Sequence, residues 1–438
     1  MTAILPAADR PARGALAVVS VLSAVAACTA GVVLAVRPLG SPDLGYHLAY
    51  GEHLLDSGQV VDSSPFLYTL PAGGSPAALP EPGPGCWYDG AAYRFPNANW
   101  LSQAAMAGMH RLAGVGGLCA LQAALVAGLV GLSLATMRRL GLPWPLAGAG
   151  VLLIVLVAYP RFGLRPEVFG YLALAAQLWL LAGVRRRGRL SEPTAAGLLA
   201  VQVLFVNLHG YFPLGPALTA AFVVDAGARA AGRWFRAGGG EAGAAPRPQV
   251  ARLAAVLLAQ LALCLANPWT WRLAALPVQT VAFLRAHDVA RSSPSGMGHP
   301  WSLIGEFYRP FAAAGFAETT ATWAFCVLLA LAAAGALAAL LRRRWAELLV
   351  VAGMTAVGMS MRRNIAPAAA AIVPLTLAAG WAALGGPVRR LSARARRAGA
   401  GALATAVLLA SAGVAWAVVT QRFYYAERSA TRFGTGVS

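Results

Sequence analysis

The chain has 438 residues, of which 58% are hydrophobic and only 12% charged, with a mean hydropathy of +0.62. Ordinary soluble domains carry about 25% charged residues, so this chain has too few polar side chains to cover a water-soluble core, and a soluble globular protein is excluded. Its formal net charge is +19, yet every basic residue is an arginine, and most sit in short clusters between apolar runs; these do not form the aromatic-interleaved stripe of a nucleic-acid groove, so no nucleic-acid partner is expected.

The first 14 residues are read as a cytoplasmic N-terminus. The apolar run after them, 15–36, is too long for a signal-peptide core and predicts a retained signal anchor. A bilayer-crossing helix needs about 20 apolar residues. That rule marks eleven candidate spans: 15–36, 114–136, 146–160, 167–184, 195–208, 211–228, 252–267, 320–341, 346–361, 365–385 and 400–420. With the N-terminus inside, the inner connections hold 21 of the 35 arginines, which fits the positive-inside bias and leaves the C-terminal tail, 421–438, outside. Two outer segments are long, 37–113 and 268–319, and loops of that length are usually functional. The expected architecture is therefore a single all-α integral membrane domain in the cell membrane, with a first outer loop that contains short helices.

Just after the first apolar run comes "PDLGYHLAYGEHLLDSGQVVDSSPFLYT", with Asp43, His47, Glu52, His53, Asp56 and Asp62 in close succession. A tether does not need these groups, whereas an active site beside a membrane does. Asp43 follows Ser41-Pro42 at a helix start, so it is either an N-cap or a general base with His47 one turn later on the same face. "NANWLSQAAMAGMHRLAG" has the spacing of a helix lying on the membrane surface. Five cysteines show no paired spacing and imply neither a disulfide framework nor a metal cluster; no cofactor is indicated. Trp269, Trp271, Trp301 and the Tyr424-Tyr425 pair read as interfacial anchors.

In this order, "DLGYHLAYGEHLLDSGQVVDSSPFLYT", "NWLSQAAMAGMHRLAGVGGL", "RPEVFGYLALA", "VNLHGYFPLG", "NPWTWRL" and "RRNIAPAAAAIVPL" resemble bacterial membrane glycosyltransferases of the GT-C class over most of residues 15–385. The resemblance implies an enzyme that takes a sugar from a polyprenyl-phosphate carrier. It would pass that sugar, with inversion, to a glycan, lipid or protein acceptor on the outer face. The family's essential acid falls just after the first helix, which matches Asp43. A carboxylate there can accept the proton of the attacking hydroxyl, and arginine is needed to neutralise the departing lipid phosphate. The chain departs from the family at Asn99, where relatives carry a glutamate before Trp-Leu-Ser-Gln. Asn99 can still hydrogen-bond a sugar.

Arg165 and Glu167 flank Pro166 at a helix start and are either a structural pair or part of a phosphate or sugar site. Arg362 and Arg363 lie at an outer boundary against the positive-inside bias; they either meet the lipid phosphate or snorkel to headgroups. His209 is a turn residue or a site residue. Glu306 is placed to orient the acceptor or to replace the missing acid. Two other classes stay open, a transporter or flippase for a lipid-linked glycan and a non-catalytic envelope scaffold. No internal repeat and no mid-helix charge of the kind a transporter uses is evident.

Overall fold

The computed structural model describes residues 9–63, 82–90, 92–236, 247–287, 289, 301, 304–311 and 319–437. The protein is about 78% helical. Among the described residues the only sheet is a hairpin of β1, Trp87–Asp89, and β2, Ala92–Arg94. The chain runs through fourteen helices: α1 Asp9–Ala35, α2 Leu44–Ser57, α3 Trp100–Arg139, α4 Trp144–Ala158, α5 Pro166–Arg187, α6 Glu192–Leu208, α7 Leu214–Arg236, α8 Arg247–Leu263, α9 Trp271–Ala286, α10 Thr320–Leu341, α11 Trp345–Ser360, α12 Ile365–Arg390, α13 Ala393–Val419 and α14 Arg422–Ala426.

Each of the eleven stretches expected to span the bilayer overlaps one of these helices; 114–136, 167–184, 195–208, 320–341 and 365–385 lie wholly inside, and the other six overrun a helix end by one to four residues. Seven stretches are long and apolar enough to cross a membrane, namely those of α1, α3, α4, α5, α10, α12 and α13, while α6, α8 and α11 are apolar but shorter. α7 is not among them and carries Asp225 and Arg229. This helical inventory is that of an all-α polytopic membrane protein.

The surface helix and the second span expected from sequence follow one another within α3 as two helical segments. Their junction is a kink at Ala113 and Gly114, where Gly114 has φ 57° and ψ −148°. Only glycine takes that conformation without a steric penalty, so the sequence marks the bend. Helix ends follow local chemistry. Pro166 opens α5 at its first turn and Gly188, at φ 69°, closes it. Thr319 and Ser392 accept capping hydrogen bonds from Thr322 N and Ala395 N at the starts of α10 and α13.

Close helix approach rests on small residues, as is usual where lipid removes the hydrophobic drive for association. A Cβ on Gly148 would lie 3.0 Å from Ala24 Cα, and one on Gly335 2.6 Å from Thr376 Cγ2. A buried amide chain joins α5, α6 and α8: Gln260 donates to Gln177 at 3.1 Å, and Gln177 to Gln202 at 3.3 Å.

The acidic stretch after α1 now sorts itself. Glu52 pairs with His110 at 3.4 Å, Asp56 with Arg111 at 2.7 Å and Asp62 with Arg94 at 2.7 Å. These half-exposed pairs fasten α2 and the chain after it to α3 and β2, and solvent screening keeps each contribution small. Closer packing comes from Gly51, where a Cβ would stand 2.2 Å from the Gln103 carbonyl oxygen. Because that neighbour is backbone, Gly51→Ala must lift α2 off α3. It is expected to cost about 1–3 kcal/mol and to lower the thermal midpoint in detergent; an unchanged midpoint would contradict this packing.

The C-terminal tail returns over the end of α1. Gly434 N donates to Val36 O at 3.2 Å and Leu39 N to Gly436 O at 2.9 Å. The tail thereby becomes a wall of the site below.

Candidate functional site

Beyond the end of α1 lies a cavity of about 850 Å³. Its walls are the turn after α1 with Arg37 and Ser41, the 159–165 turn between α4 and α5, Glu306, the start of α10, and the tail with Tyr424 and Glu427. The turn and α1 are held in register by Gln122 of α3, which is 1% exposed. Its amide donates to Ala35 O at 2.7 Å and to Arg37 O at 3.1 Å, and its oxygen accepts from Leu164 N at 2.5 Å. One buried glutamine thus fixes both backbone segments that supply the cavity's arginines.

Arg161 is the hub of the charge cluster. It meets Glu306 with two hydrogen bonds, at 2.7 and 3.1 Å, and Glu167 at 3.2 Å. Arg165 also bonds Glu306, and Arg363 approaches Glu167 at 3.8 Å. Burial alone pushes the Glu306 carboxyl up, but hydrogen bonding and charge from Arg161 and Arg165 outweigh it and bring its pKa down to about 2. Glu306 is therefore an anion at neutral pH and no proton donor. Arg37 differs from its neighbours: it donates to Pro160 O at 3.2 Å and has no carboxylate partner among the described residues. Burial lowers its pKa to about 10 against the opposing influence of Tyr424 and Tyr159, so it stays charged. Glu427 is satisfied separately, by Tyr159 Oη and by Thr320 N at 3.0 Å.

Asp43 occupies the N-cap position of α2, yet its side chain makes no capping bond. It has no hydrogen-bond or ion-pair partner among the described residues. Two residues before it, Ser41 lines the cavity with an unpartnered hydroxyl. The Tyr46 phenol is raised by burial first and then by Asp43, and is lowered by Arg165 and Arg363. Asp43 and those arginines therefore act on the same hydroxyl.

His47 is 3% exposed and turns toward α3. Asn97 donates to Gln103 Oε1 at 2.7 Å, so the Gln103 amide nitrogen faces His47 Nδ1 at 3.0 Å and makes that nitrogen the acceptor. The proton then sits on Nε2. Burial, and secondarily Arg165, lowers the His47 pKa to about 3. Its ordinary value is 6.5, so the unfolded chain takes up a proton that the folded one refuses. Stability is present above pH 6.5 and is lost as pH falls from there toward 3. His47→Gln is expected to flatten that decline in an acid-unfolding series; an equal slope in both proteins would contradict it. His47 also stays neutral across pH 5–8 and contributes no limb to a pH–rate profile there.

Among the other residues singled out from sequence, Arg165, Glu167, Glu306 and Arg363 belong to one ion-pair cluster. Arg362 lies over Tyr308 at 5.7 Å, with its N–H donating to Tyr308 O at 2.8 Å. His209 is buried against Gly170, accepts from Tyr211 N at 3.2 Å and lies tilted against the Tyr211 ring with centroids 4.5 Å apart. Burial, then Arg363 and His47, keeps it well below the ordinary histidine range. Asn99 precedes α3, and its buried side-chain oxygen has no partner. Tyr424, expected as an anchor, is 3% exposed and lines the cavity, whereas Tyr425 is 89% exposed. Sequence reading missed Arg37, Arg161, Gln103, Gln122 and Glu427. For Arg161 a signal existed in the "RFGLRPE" turn, which carries two arginines; Gln122 sits in an apolar run and Glu427 in the tail, where nothing local marks them. Among the described residues no three His, Cys, Asp or Glu side chains converge as a metal cage.

No family model matches the chain, and no curated protein matches it.

Proposed function

We propose that the protein is a membrane glycosyltransferase of GT-C type that uses a polyprenyl-phosphate sugar as donor. The observation that carries this reading is a cavity lined by Arg37, which has no carboxylate partner among the described residues, and by Arg161 and Arg165, with Asp43 two residues after its lining residue Ser41 and likewise without a side-chain partner among the described residues. In the reaction, the acceptor hydroxyl oxygen attacks the anomeric carbon from the face opposite the phosphate. Its proton passes to the Asp43 carboxylate, the bond from the anomeric carbon to the phosphate oxygen breaks, and the configuration inverts. The lipid phosphate leaves as an anion beside Arg37. It competes with Glu306 for Arg165 and Arg161, so Glu306 marks where an anion is held when the carrier is absent.

His47, neutral and protonated at Nε2, acts as a hydrogen-bond donor and positions the first turn of α2. The arginine distribution supports an N-terminus in the cytoplasm and a cavity on the outer face of the cell membrane. The acceptor is an envelope glycan, lipid or protein. Purified protein in lipid nanodiscs, given a panel of labelled polyprenyl-phosphate sugars and envelope extract, is expected to move label from one carrier to product with inverted anomeric configuration. Carrier binding without any transfer across a broad panel would overturn the enzyme reading and favour a transporter or scaffold for the same lipid.

A further inference from the structure

At the opposite end of the bundle, six arginines from four regions converge on a second cavity of about 520 Å³: Arg138, Arg139, Arg185, Arg186, Arg229 and Arg344. Two carboxylates stand behind them, Asp225 at 0% and Glu347 at 1% exposure. Asp225 holds Arg185 at 2.7 Å and Arg229 at 2.5 Å; Glu347 holds Arg185 at 2.8 Å and Arg344 at 2.5 Å. Six cations facing two anions leave four positive charges uncompensated in one pocket. The buried carboxylates lock Arg185 in place, so this is a fixed site and not a set of arginines wandering at a surface.

Arg138, Arg139 and Arg186 are not tied to either carboxylate. The Arg138 guanidinium lies 4.2 Å over the Trp144 ring, and the Arg139 guanidinium 3.7 Å over the Trp179 ring. Tryptophans at helix ends mark the headgroup level of a bilayer. Gly183 leaves the space that Arg139 fills, since a Cβ there would stand 2.9 Å from Arg139 Nη1. Arg186 has no hydrogen-bond or ion-pair partner among the described residues.

We infer that this pocket binds the phosphate headgroup of an anionic membrane lipid, one bearing two phosphate charges in particular. Basic pockets between membrane helices take such headgroups, and guanidinium forks pair with phosphate oxygens bidentately. The inference is independent of sugar transfer and rests only on the apolar helices crossing a bilayer. It makes the arginine pocket a structural lipid site that joins α3, α5, α7 and the α10–α11 turn.

The test compares the whole protein in phosphatidylcholine nanodiscs, in phosphatidylcholine with cardiolipin, and in phosphatidylcholine with soluble pyrophosphate. The readouts are the thermal midpoint and the lipid retained in native mass spectrometry. Cardiolipin is expected to raise the midpoint and remain bound, pyrophosphate to do neither. The variant Arg138→Gln/Arg139→Gln/Arg186→Gln spares the buried carboxylates; at about 1 kcal/mol for each arginine, it is expected to weaken cardiolipin binding about a hundredfold. Arg186→Gln alone removes no contact within the protein and keeps the test valid should the triple variant fold poorly; it is expected to weaken binding severalfold. Equal stabilisation by pyrophosphate would overturn the lipid assignment, and cardiolipin binding unchanged in both variants would overturn the site.

Discussion

Asp43→Asn is expected to reduce sugar transfer by about 10²–10⁴-fold, the usual range for loss of a positioned general base, with binding of the carrier lipid retained. The exchange removes one proton acceptor and almost nothing else. Asp43 accepts no capping bond and meets no arginine among the described residues, so its loss orphans none of them. Asn is as acceptable as Asp at a helix N-cap. The thermal midpoint should therefore stay close to that of the wild type, because surface changes away from special contacts cost within about 0.5 kcal/mol. Transfer rates measured on folded, carrier-saturated protein check this. A variant that turns over at the wild-type rate would remove Asp43 as the base.

Arg185→Met is expected to have the largest effect on stability, about 3–5 kcal/mol. Arg185 bridges two carboxylates that water does not reach, Asp225 and Glu347. Without it, Asp225 retains Arg229 and the Trp345 N–H at 3.0 Å, and Glu347 retains Arg344, so each keeps a partner but loses the guanidinium that bridges the two. Methionine fills similar volume, so the loss is electrostatic and not a cavity effect. Arg185→Lys, which keeps the charge but lacks the guanidinium fork that reaches both carboxylates, should lose less. Thermal unfolding in detergent measures both. Transfer per folded molecule should not change in either, because the cluster lies at the end of the bundle away from Asp43; a midpoint unaffected by Arg185→Met would contradict the buried pairing.

What could be read from the sequence follows from the range of the interactions concerned. Apolar runs report on their own surroundings, so each of the eleven expected stretches falls mostly on one helix, and Gly114 marks the kink within α3. Span number was less legible, because α6, α8 and α11 are short and α7 carries Asp225 and Arg229, so length and hydropathy alone do not assign them. Asp43 and His47 stood out by their position after an apolar run. Their environments did not: whether an aspartate one residue before a helix caps it, or a histidine titrates, depends on α3 packing against α2. Gln103 acts on His47 from 56 residues away, Gln122 on Ala35 from 87, and Glu427 on Thr320 from 107. Such polar contacts have no period and leave no local trace. The paired acids Glu52, Asp56 and Asp62 show the reverse error, since a dense acidic stretch suggested chemistry where most of its members only fasten α2 and the chain after it.

The central claim is that the cavity beside Asp43 receives the carrier's phosphate. Photo-crosslinking with a polyprenyl phosphate bearing its photoreactive group next to the phosphate tests it most directly, followed by peptide mapping. The account predicts labelled peptides containing Arg37–His47 and Tyr159–Glu167, with labelling lost on addition of the sugar-bearing donor and reduced in Arg37→Gln. Labelling confined to the opposite end, around Arg138–Gly141 and Arg185–Arg186, or labelling indifferent to Arg37→Gln, would contradict it.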